Sequence, residues 1–149
     1  MKRAHLFIIA LAVFLLDQGT KYFIESSLTS QDVIEILPFF NIVSVQNTGS
    51  AFGMFKALGN VFFVSVAAIA MVAVSFIIAR EKEDGLGFAL ILGGAAGNML
   101  DRIVHGYVID FLDVHIGAAH WPAFNVADSA LCVGAVLLLI QNLFPKKAQ

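Results

Sequence analysis

Long apolar stretches separated by short polar segments dominate the chain. Residues 57–79 contain no Asp, Glu, Lys or Arg, and they exceed the roughly 20 residues that a transmembrane helix needs. Three shorter stretches are also free of these residues: 4–16, 85–100 and 129–145. Each of the three reaches spanning length only by including an adjacent aspartate: Asp17, Asp101 or Asp128. The pattern therefore predicts four transmembrane helices: about 6–24, 58–79, 86–105 and 123–144.

The connections after the first and third helices, about 25–57 and 106–122, have the composition of short strands. Val, Ile and Phe are frequent in residues 31–56, with Pro, Asn and Gly between them, which predicts two or three strands joined by turns. Residues 107–114 form another strand candidate. We therefore expect residues 1–149 to form one domain, an all-α membrane protein of four transmembrane helices with a small extracytoplasmic β-sheet.

The composition agrees with a membrane protein. Hydrophobic residues make up 59% of the chain and charged residues 13%, against roughly 45–50% and about 25% in soluble domains. This excludes a disordered chain and an ordinary soluble enzyme. The net charge of −2 gives no sign of a nucleic-acid surface. One cysteine, Cys132, excludes an internal disulfide.

The distribution of cations orients the four helices. Six of the nine Lys and Arg residues lie in segments that an even number of spans places on one side: Lys2, Arg3, Arg80, Lys82, Lys146 and Lys147. The opposite connections contain only Lys56. By the positive-inside rule, both termini are predicted to be cytoplasmic. A cleaved signal peptide is the alternative for the first helix, but no small-x-small cleavage site follows it, which favours a retained helix.

With this orientation the three intramembrane aspartates lie at a similar depth. Asp17 lies roughly 16 Å from the cytoplasmic end of the first helix, and Asp101 lies roughly 22 Å from that of the third. The fourth helix runs inward, and Asp128 lies roughly 7 Å from its outer end. Each charge in the bilayer costs at least about 2.5–3.5 kcal/mol, so such residues usually have a function. The pattern predicts a polar site that opens to the outer face.

The first helix carries an acid–base pair at i, i+4. Asp17 precedes Lys21 in the favourable order for a helical ion pair. One interpretation is a structural pair at the membrane interface, with Lys21 extending outward to the headgroups. The other interpretation is a pair that faces a substrate.

The third helix combines small residues with a polar end. Gly93 and Gly97 form a GxxxG face that allows close approach of another backbone. Asn98, Asp101 and Arg102 follow on one face, and the adjacent Asp101 and Arg102 are expected to have different partners. This end either supports a polar site or is solvated among the headgroups.

Asp110 and Asp128 form the candidate catalytic pair. If residues 107–114 are extended, Asp110 and Asp113 point to opposite faces. Asp128 is expected in the second turn of the fourth helix, with Asn125 one turn earlier on the same face. Two partly desolvated carboxylates share a proton and provide one base and one acid, as peptide hydrolysis requires. The alternative is two independently solvated interfacial aspartates.

Other activities have less support from the sequence. There is no His-Glu-x-x-His motif, so a zinc protease is unsupported. A small transporter or proton-conducting subunit is the alternative function, because such proteins also contain intramembrane charges. Against it, the charges lie at one depth and the cytoplasmic halves of the helices offer no polar path.

Five segments in order resemble the lipoprotein signal peptidase (type II signal peptidase) family of bacteria, and the resemblance extends over residues 5–143. They are Asp17-Gln18-Gly19-Thr20-Lys21, Asn47-Thr48-Gly49-Ser50-Ala51-Phe52-Gly53, Gly93-Gly94-Ala95-Ala96-Gly97-Asn98-Met99-Leu100-Asp101-Arg102, Val108-Ile109-Asp110-Phe111 and Phe124-Asn125-Val126-Ala127-Asp128-Ser129. The resemblance implies a four-helix bundle with an outer β-sheet cradle and a mobile outer helix.

The resemblance also implies a function: an aspartic endopeptidase of the bacterial inner membrane, active toward the outer face, that cuts diacylglyceryl-modified prolipoproteins before the lipidated cysteine. It implies Asp110 and Asp128 as the catalytic dyad. It implies further site or scaffold residues: Asn98, Arg102, Asn125, Asp17, Lys21, Asn47, Gly94 and Asp101. No metal or other cofactor is expected. The expected partners are the prolipoprotein substrate, membrane lipid and globomycin-type inhibitors, with the protein acting as a monomer.

Overall fold

The computed structural model describes residues 2–49, 59–80 and 85–144. Within these residues the chain forms four helices: α1 (Arg3–Ser27), α2 (Gly59–Arg80), α3 (Leu86–Val104) and α4 (Val126–Leu143). It also forms four strands: β1 (Val33–Leu37), β2 (Phe40–Asn47), β3 (Val108–Ile116) and β4 (Ala119–His120). All four helices are long and apolar enough to cross a membrane, which confirms the predicted fold class.

Several predicted features lie outside the described residues. They are the last part of the first outer connection, the beginning of the second helix at residue 58, and four of the cations used for orientation: Lys56, Lys82, Lys146 and Lys147. Of the two or three strands predicted in residues 31–56, the described part contains β1 and β2.

Helix α3 is the centre of the bundle, with α1, α2 and α4 packed against it. Small residues make this possible. A Cβ atom built on Gly93 would lie 2.5 Å from the carbonyl oxygen of Ala10, and one on Gly94 would lie 2.5 Å from that of Ala127. Gly97 instead leaves room for the carboxylate of Asp17. The GxxxG face therefore contacts the α1 backbone at one glycine and a polar side chain at the other.

An apolar cluster closes one end of the bundle. Leu6 of α1, Ile78 of α2 and Ala89 of α3 are buried together there. Because these residues lie near the beginning of α1, the end of α2 and the beginning of α3, successive helices run in opposite directions. The aspartates on α1 and α3 consequently lie toward the other end, next to the sheet.

The strands form one antiparallel sheet in the order β1-β2-β3-β4. In the pairing of β2 with β3, Val45 is opposite Asp110 and Asn41 is opposite Asp113, with an irregularity between Ile42 and Val45. Strand β3 also packs against α1 and α3. The sheet therefore holds Asp110 against the polar end of the bundle.

The fourth helix begins later than predicted, at Val126 and not at residue 123. Phe124 is still in the sheet, where its backbone pairs with that of Leu112. Asn125 is the N-cap, because its side-chain oxygen accepts the backbone N–H of Asp128 at 2.8 Å. Asp128 therefore lies in the first turn of α4, and the prediction of a second-turn position was wrong. Helix α1 is longer than the predicted 6–24, and α3 ends at Val104.

Candidate active site

Asp110 is buried on β3, with 2% of its surface exposed. Its two oxygens accept hydrogen bonds from neutral amides, one from Asn47 Nδ2 at 2.9 Å and one from Asn125 Nδ2 at 2.7 Å. Burial and the nearby charge of Asp128 raise the pKa of Asp110 to about 7, although the two amide hydrogen bonds act in the opposite direction. Asp110 is therefore a carboxyl group that can retain a proton near neutral pH.

Asp128 is half-buried in the first turn of α4. Its Oδ1 accepts a hydrogen bond from Asn98 Nδ2 at 2.8 Å. The helix N-terminus favours negative charge at this position. Asp110 and Asp128 thus have different surroundings, although both line one cavity.

Two asparagines connect the carboxyl groups. Asn125 Nδ2, which contacts Asp110, also lies 3.2 Å from Asn98 Oδ1. Asn98 in turn donates to Asp128. Since Asn125 also caps α4, one side chain fixes the beginning of the helix and the carboxyl group of Asp110. The pair is therefore positioned by a continuous chain of amide groups.

Lys21 is buried next to the Asp110–Asp128 pair, with 2% of its side chain exposed. Its ammonium group contacts Asp17 Oδ2 at 2.8 Å, Asp101 Oδ2 at 2.9 Å and Asn98 Oδ1 at 2.9 Å. These three acceptors match the three N–H donors of lysine. The predicted Asp17–Lys21 ion pair is present. The idea that Lys21 extends to the headgroups was wrong, because a second carboxylate and an amide hold it in the interior.

The two carboxylates bound to Lys21 also hold backbone next to the cavity. Asp17 Oδ1 accepts the N–H of Ala127 at 2.8 Å, directly before Asp128. Asp101 Oδ2 accepts the N–H of Ile109 at 3.1 Å, directly before Asp110 on β3. Each buried carboxylate therefore fixes the backbone that precedes one member of the pair.

Gln18 links these carboxylates, although it was not among the predicted site residues. Its Nε2 donates to Asp101 Oδ1 at 2.9 Å and lies 3.2 Å from both Asp17 Oδ2 and the carbonyl oxygen of Gly97. The available signal was its place in the segment Asp17-Gln18-Gly19-Thr20-Lys21, directly after Asp17. A neutral donor between two carboxylates supplements the single ammonium group of Lys21 without changing the charge.

Arg102, in the last turn of α3, lines the cavity and contacts α2. Its Nη2 donates to the carbonyl oxygen of Gly49 at 3.2 Å, and its guanidinium lies over the Phe63 ring, 4.8 Å from the centroid. Asn60 of α2 donates to the Arg102 carbonyl oxygen at 2.6 Å. Asp101 and Arg102 thus have different partners, as predicted. No sequence motif indicated the contributions of Asn60 and Phe63.

The cavity has a volume of about 720 Å³, within the range of small-molecule sites. One end is polar and contains the carboxyl groups. The remainder is apolar and lies between α2 and α4, with these residues in its wall: Val66, Ala67, Ala70, Leu131 and Cys132. The site can therefore accommodate a ligand that has both a polar segment and hydrocarbon.

The predicted residues occupy three kinds of position. Five line the cavity: Asn47, Asn98, Arg102, Asp110 and Asp128. Four others are fully buried in the network next to the cavity: Asp17, Lys21, Asp101 and Asn125. Gly94 packs under Ala127. Asp113 is elsewhere, bound to Asn41 at 2.9 Å and to His120 at 2.8 Å. In residues 2–49, 59–80 and 85–144, no group of three or more His, Cys, Asp or Glu side chains is placed to hold a metal ion.

Comparison with known proteins gives a consistent result. The protein-family model described as signal peptidase (SPase) II matches residues 9–144. The lipoprotein signal peptidase of Thermodesulfovibrio yellowstonii is 45% identical over 131 residues, covering 88% of this chain and 89% of the relative. That of Alteromonas mediterranea is 45% identical over 142 residues, covering 91% and 78%. A solved bacterial membrane enzyme structure superposes with a TM-score of 0.86 at 31% identity, covering 98% of this chain and 95% of the other.

Proposed function

The chain belongs to the signal peptidase II family, and from this premise we propose that it removes signal peptides from diacylglyceryl-modified prolipoproteins, cutting before the lipidated cysteine. We assign the chemistry to an aspartic dyad of Asp110 and Asp128. One observation carries this assignment: two carboxyl groups from separate elements line one cavity, and asparagine amides hold both. The buried cation Lys21 is bound to other carboxylates and contacts neither member of the pair directly.

The surroundings of the two aspartates suggest their roles. Asp110, with a pKa of about 7, holds the shared proton and donates a hydrogen bond to the scissile carbonyl oxygen. Asp128, at the N-terminus of α4, is the ionised base that removes a proton from the attacking water. The tetrahedral intermediate then collapses as a proton passes to the leaving amine. The two groups titrate as a coupled pair, so the assignment describes the dominant protonation state.

Arg102 is positioned to bind substrate. Its guanidinium lines the cavity and uses Nη2 to contact the Gly49 carbonyl oxygen. A planar fork of donors suits a carbonyl, carboxylate or phosphate oxygen better than lysine does. The Phe63 ring against its face holds the fork in orientation. We assign Arg102 to orienting the polar part of the substrate next to the dyad.

The apolar wall between α2 and α4 suits the lipid part of the substrate. Because all four helices can span the bilayer, this wall adjoins hydrocarbon, and a lipidated substrate can enter by lateral diffusion. The same cavity is the proposed binding site of globomycin-type cyclic peptides. We further propose that the protein acts as a monomeric single domain over residues 1–149.

The chain is a multi-pass membrane protein, and we propose the bacterial inner membrane as its location. The excess of Lys and Arg at the ends opposite the dyad supports cytoplasmic termini and an active site toward the outer face. Reporter fusions at residue 84 and at the C-terminus should be active only as cytoplasmic reporters. Activity of periplasmic reporters at both positions would reverse this orientation.

The function is tested by incubating the purified protein in nanodiscs with two prolipoprotein peptides that differ only in the diacylglyceryl group on cysteine. We expect release of the signal peptide from the lipidated substrate and little release from the unmodified one. Equal cleavage of both would remove the lipid requirement. Ion flux across liposomes without cleavage of either peptide would favour the transporter alternative.

A further inference from the structure

A groove separate from the catalytic cavity runs between α1 and the sheet. Its volume is about 630 Å³. Its lining includes the C-cap residue Leu28 and seven residues on one face of α1: Leu15, Leu16, Gly19, Thr20, Phe23, Ile24 and Ser27. The sheet contributes the remainder: Ile34, Ile36, Ile42 and Phe111. Phe111 directly follows Asp110, which lines the catalytic cavity, so strand β3 separates the two spaces.

The lining of the groove is that of a hydrocarbon site. Of the lining residues in the described part of the chain, only Thr20 and Ser27 carry polar side-chain atoms. The Thr20 hydroxyl is within hydrogen-bond distance of two carbonyl oxygens of its own helix, Leu16 at 2.9 Å and Asp17 at 2.8 Å. The groove therefore favours an apolar occupant over an ordered water network.

Gly19 gives an independent indication that the groove is kept open. Glycine within a helix is roughly 0.5–1 kcal/mol less favourable than alanine. Gly93 and Gly94 on α3 have a packing reason, because an added Cβ would lie 2.5 Å from a neighbouring backbone atom. At Gly19 a Cβ would meet nothing within 4 Å among the residues that the structure describes. No packing contact with these residues requires glycine there, and its effect is to leave space in the wall of the groove.

The groove is continuous with the surface that faces the bilayer. Leu15 and Leu16 are 58% and 60% exposed on a helix that can span the membrane. Ile34 and Ile36 of β1 are also exposed at the other wall, 45% and 53%. From Leu15 to Leu28 the face of α1 extends about 20 Å, compared with about 15 Å for the hydrocarbon of one leaflet. A chain lying along this face would follow the direction of lipid acyl chains.

We propose that this groove binds one acyl chain of a bilayer phospholipid. The occupant is a bilayer lipid and not the diacylglyceryl group of the substrate, because β3 lies between the groove and the cavity that contains Asp110. The bound chain packs against Phe111 and Ile42 and so joins the sheet to the outer leaflet. It thereby helps to hold β3, and with it Asp110, at a fixed depth.

The test is photolabelling of the full-length protein in nanodiscs. The probe is phosphatidylethanolamine with a diazirine on one acyl chain, and labelled peptides are mapped by mass spectrometry. We expect labels to be enriched in residues 15–28 and 34–42 relative to the lipid-facing surface of α2. Even labelling of every exposed helix face would overturn the proposal, because it would indicate ordinary surrounding lipid.

Two variants at Gly19 test whether the labelling depends on the space in the groove. Gly19→Phe fills the groove from the open side of α1 and should abolish the enrichment, whereas the smaller Gly19→Ala should retain it. Labelling of Gly19→Phe like the wild type would contradict the proposal. The wild-type map remains decisive if Gly19→Phe does not fold.

A competition experiment identifies the source of the chain. An excess of diacylglyceryl prolipoprotein peptide should leave the labelling unchanged. Displacement by this peptide would assign the groove to the substrate and overturn the proposed occupant. None of these outcomes depends on cleavage, so failure of the proposed function and failure of this inference are distinguishable.

Discussion

Replacing Lys21 with methionine tests how much the buried ion pairs of Lys21 with Asp17 and Asp101 contribute to stability. Methionine is flexible, apolar and unbranched, so Lys21→Met removes the ammonium group while retaining much of the packing. The substitution leaves the carboxylates of Asp17 and Asp101 without the cation that lies 2.8 and 2.9 Å away. Gln18 and two backbone N–H groups remain as their donors.

The expected effect is large because both carboxylates are buried, with 0% and 2% exposure. Removing one partner of a buried ion pair typically costs about 3–5 kcal/mol. That is a large fraction of a typical unfolding free energy of about 5–15 kcal/mol, and it corresponds to a change of roughly a hundred- to several-thousand-fold in the folded-to-unfolded ratio. Adding Asp101→Asn removes one of the unpaired charges, so the double variant should be more stable than Lys21→Met alone.

The measurement is the free energy of unfolding in detergent, with signal-peptide release recorded in parallel. Lys2→Met is the matched control, because Lys2 is exposed immediately before α1 and its loss should change stability by less than about 0.5 kcal/mol. If Lys21→Met were as stable as Lys2→Met, the buried cation would contribute nothing to the site. A double variant less stable than Lys21→Met would show that unpaired buried charge is not the cause of the lost stability.

Four further outcomes are expected at the site. Signal-peptide release should fall as the pH rises through about 7, because Asp110 loses its proton; unchanged kcat/KM between pH 6 and 8 would contradict this role. Because the pKa of Asp110 is raised, the folded state binds this proton more tightly than the unfolded state. The stability that this proton contributes is therefore lost as the pH rises from about 4 to about 7. Asp110→Asn should remove this pH dependence of the unfolding temperature. Arg102→Lys should fold and insert but lose most activity in the cleavage assay at matched protein levels, whereas near wild-type rates would indicate a headgroup anchor. Gly94→Ala should lower the free energy of unfolding by about 1–3 kcal/mol, because its Cβ meets the Ala127 carbonyl oxygen, whereas Gly19→Ala, which has open space, should not be destabilising.

The hydrophobic pattern predicted the four helices because the length of an apolar stretch can be read from neighbouring residues in the sequence alone. Alternation along β3 likewise predicted that Asp110 and Asp113 have different surroundings, and they do: Asp110 lines the cavity, while Asp113 binds His120. The beginning of α4 could not be predicted from the sequence, because it depends on the pairing of Phe124 with Leu112 of β3. That pairing exists only in the folded sheet.

The burial of Lys21 also required the three-dimensional structure. From the sequence, one neighbouring acid was visible, and a lysine with one partner can extend to the headgroups. The second carboxylate, Asp101, is eighty residues away on another helix and is bound to the same ammonium group at 2.9 Å. The same limit applies to Gln18, whose importance comes from contacts across the bundle with Asp101 and Gly97.

Joint action of Asp110 and Asp128 in peptide hydrolysis is tested by cleavage of a diacylglyceryl prolipoprotein by Asp110→Asn, Asp128→Asn and the double variant. Asp113→Asn is the control, since Asp113 lies on the same strand but binds Asn41 and His120 away from the cavity. We expect each dyad variant to fold, insert and lose nearly as much activity as the double variant, because the two groups act as a unit. Asp113→Asn should retain much of its activity. Clear turnover by folded Asp110→Asn or Asp128→Asn protein would show that the two groups do not form a catalytic dyad.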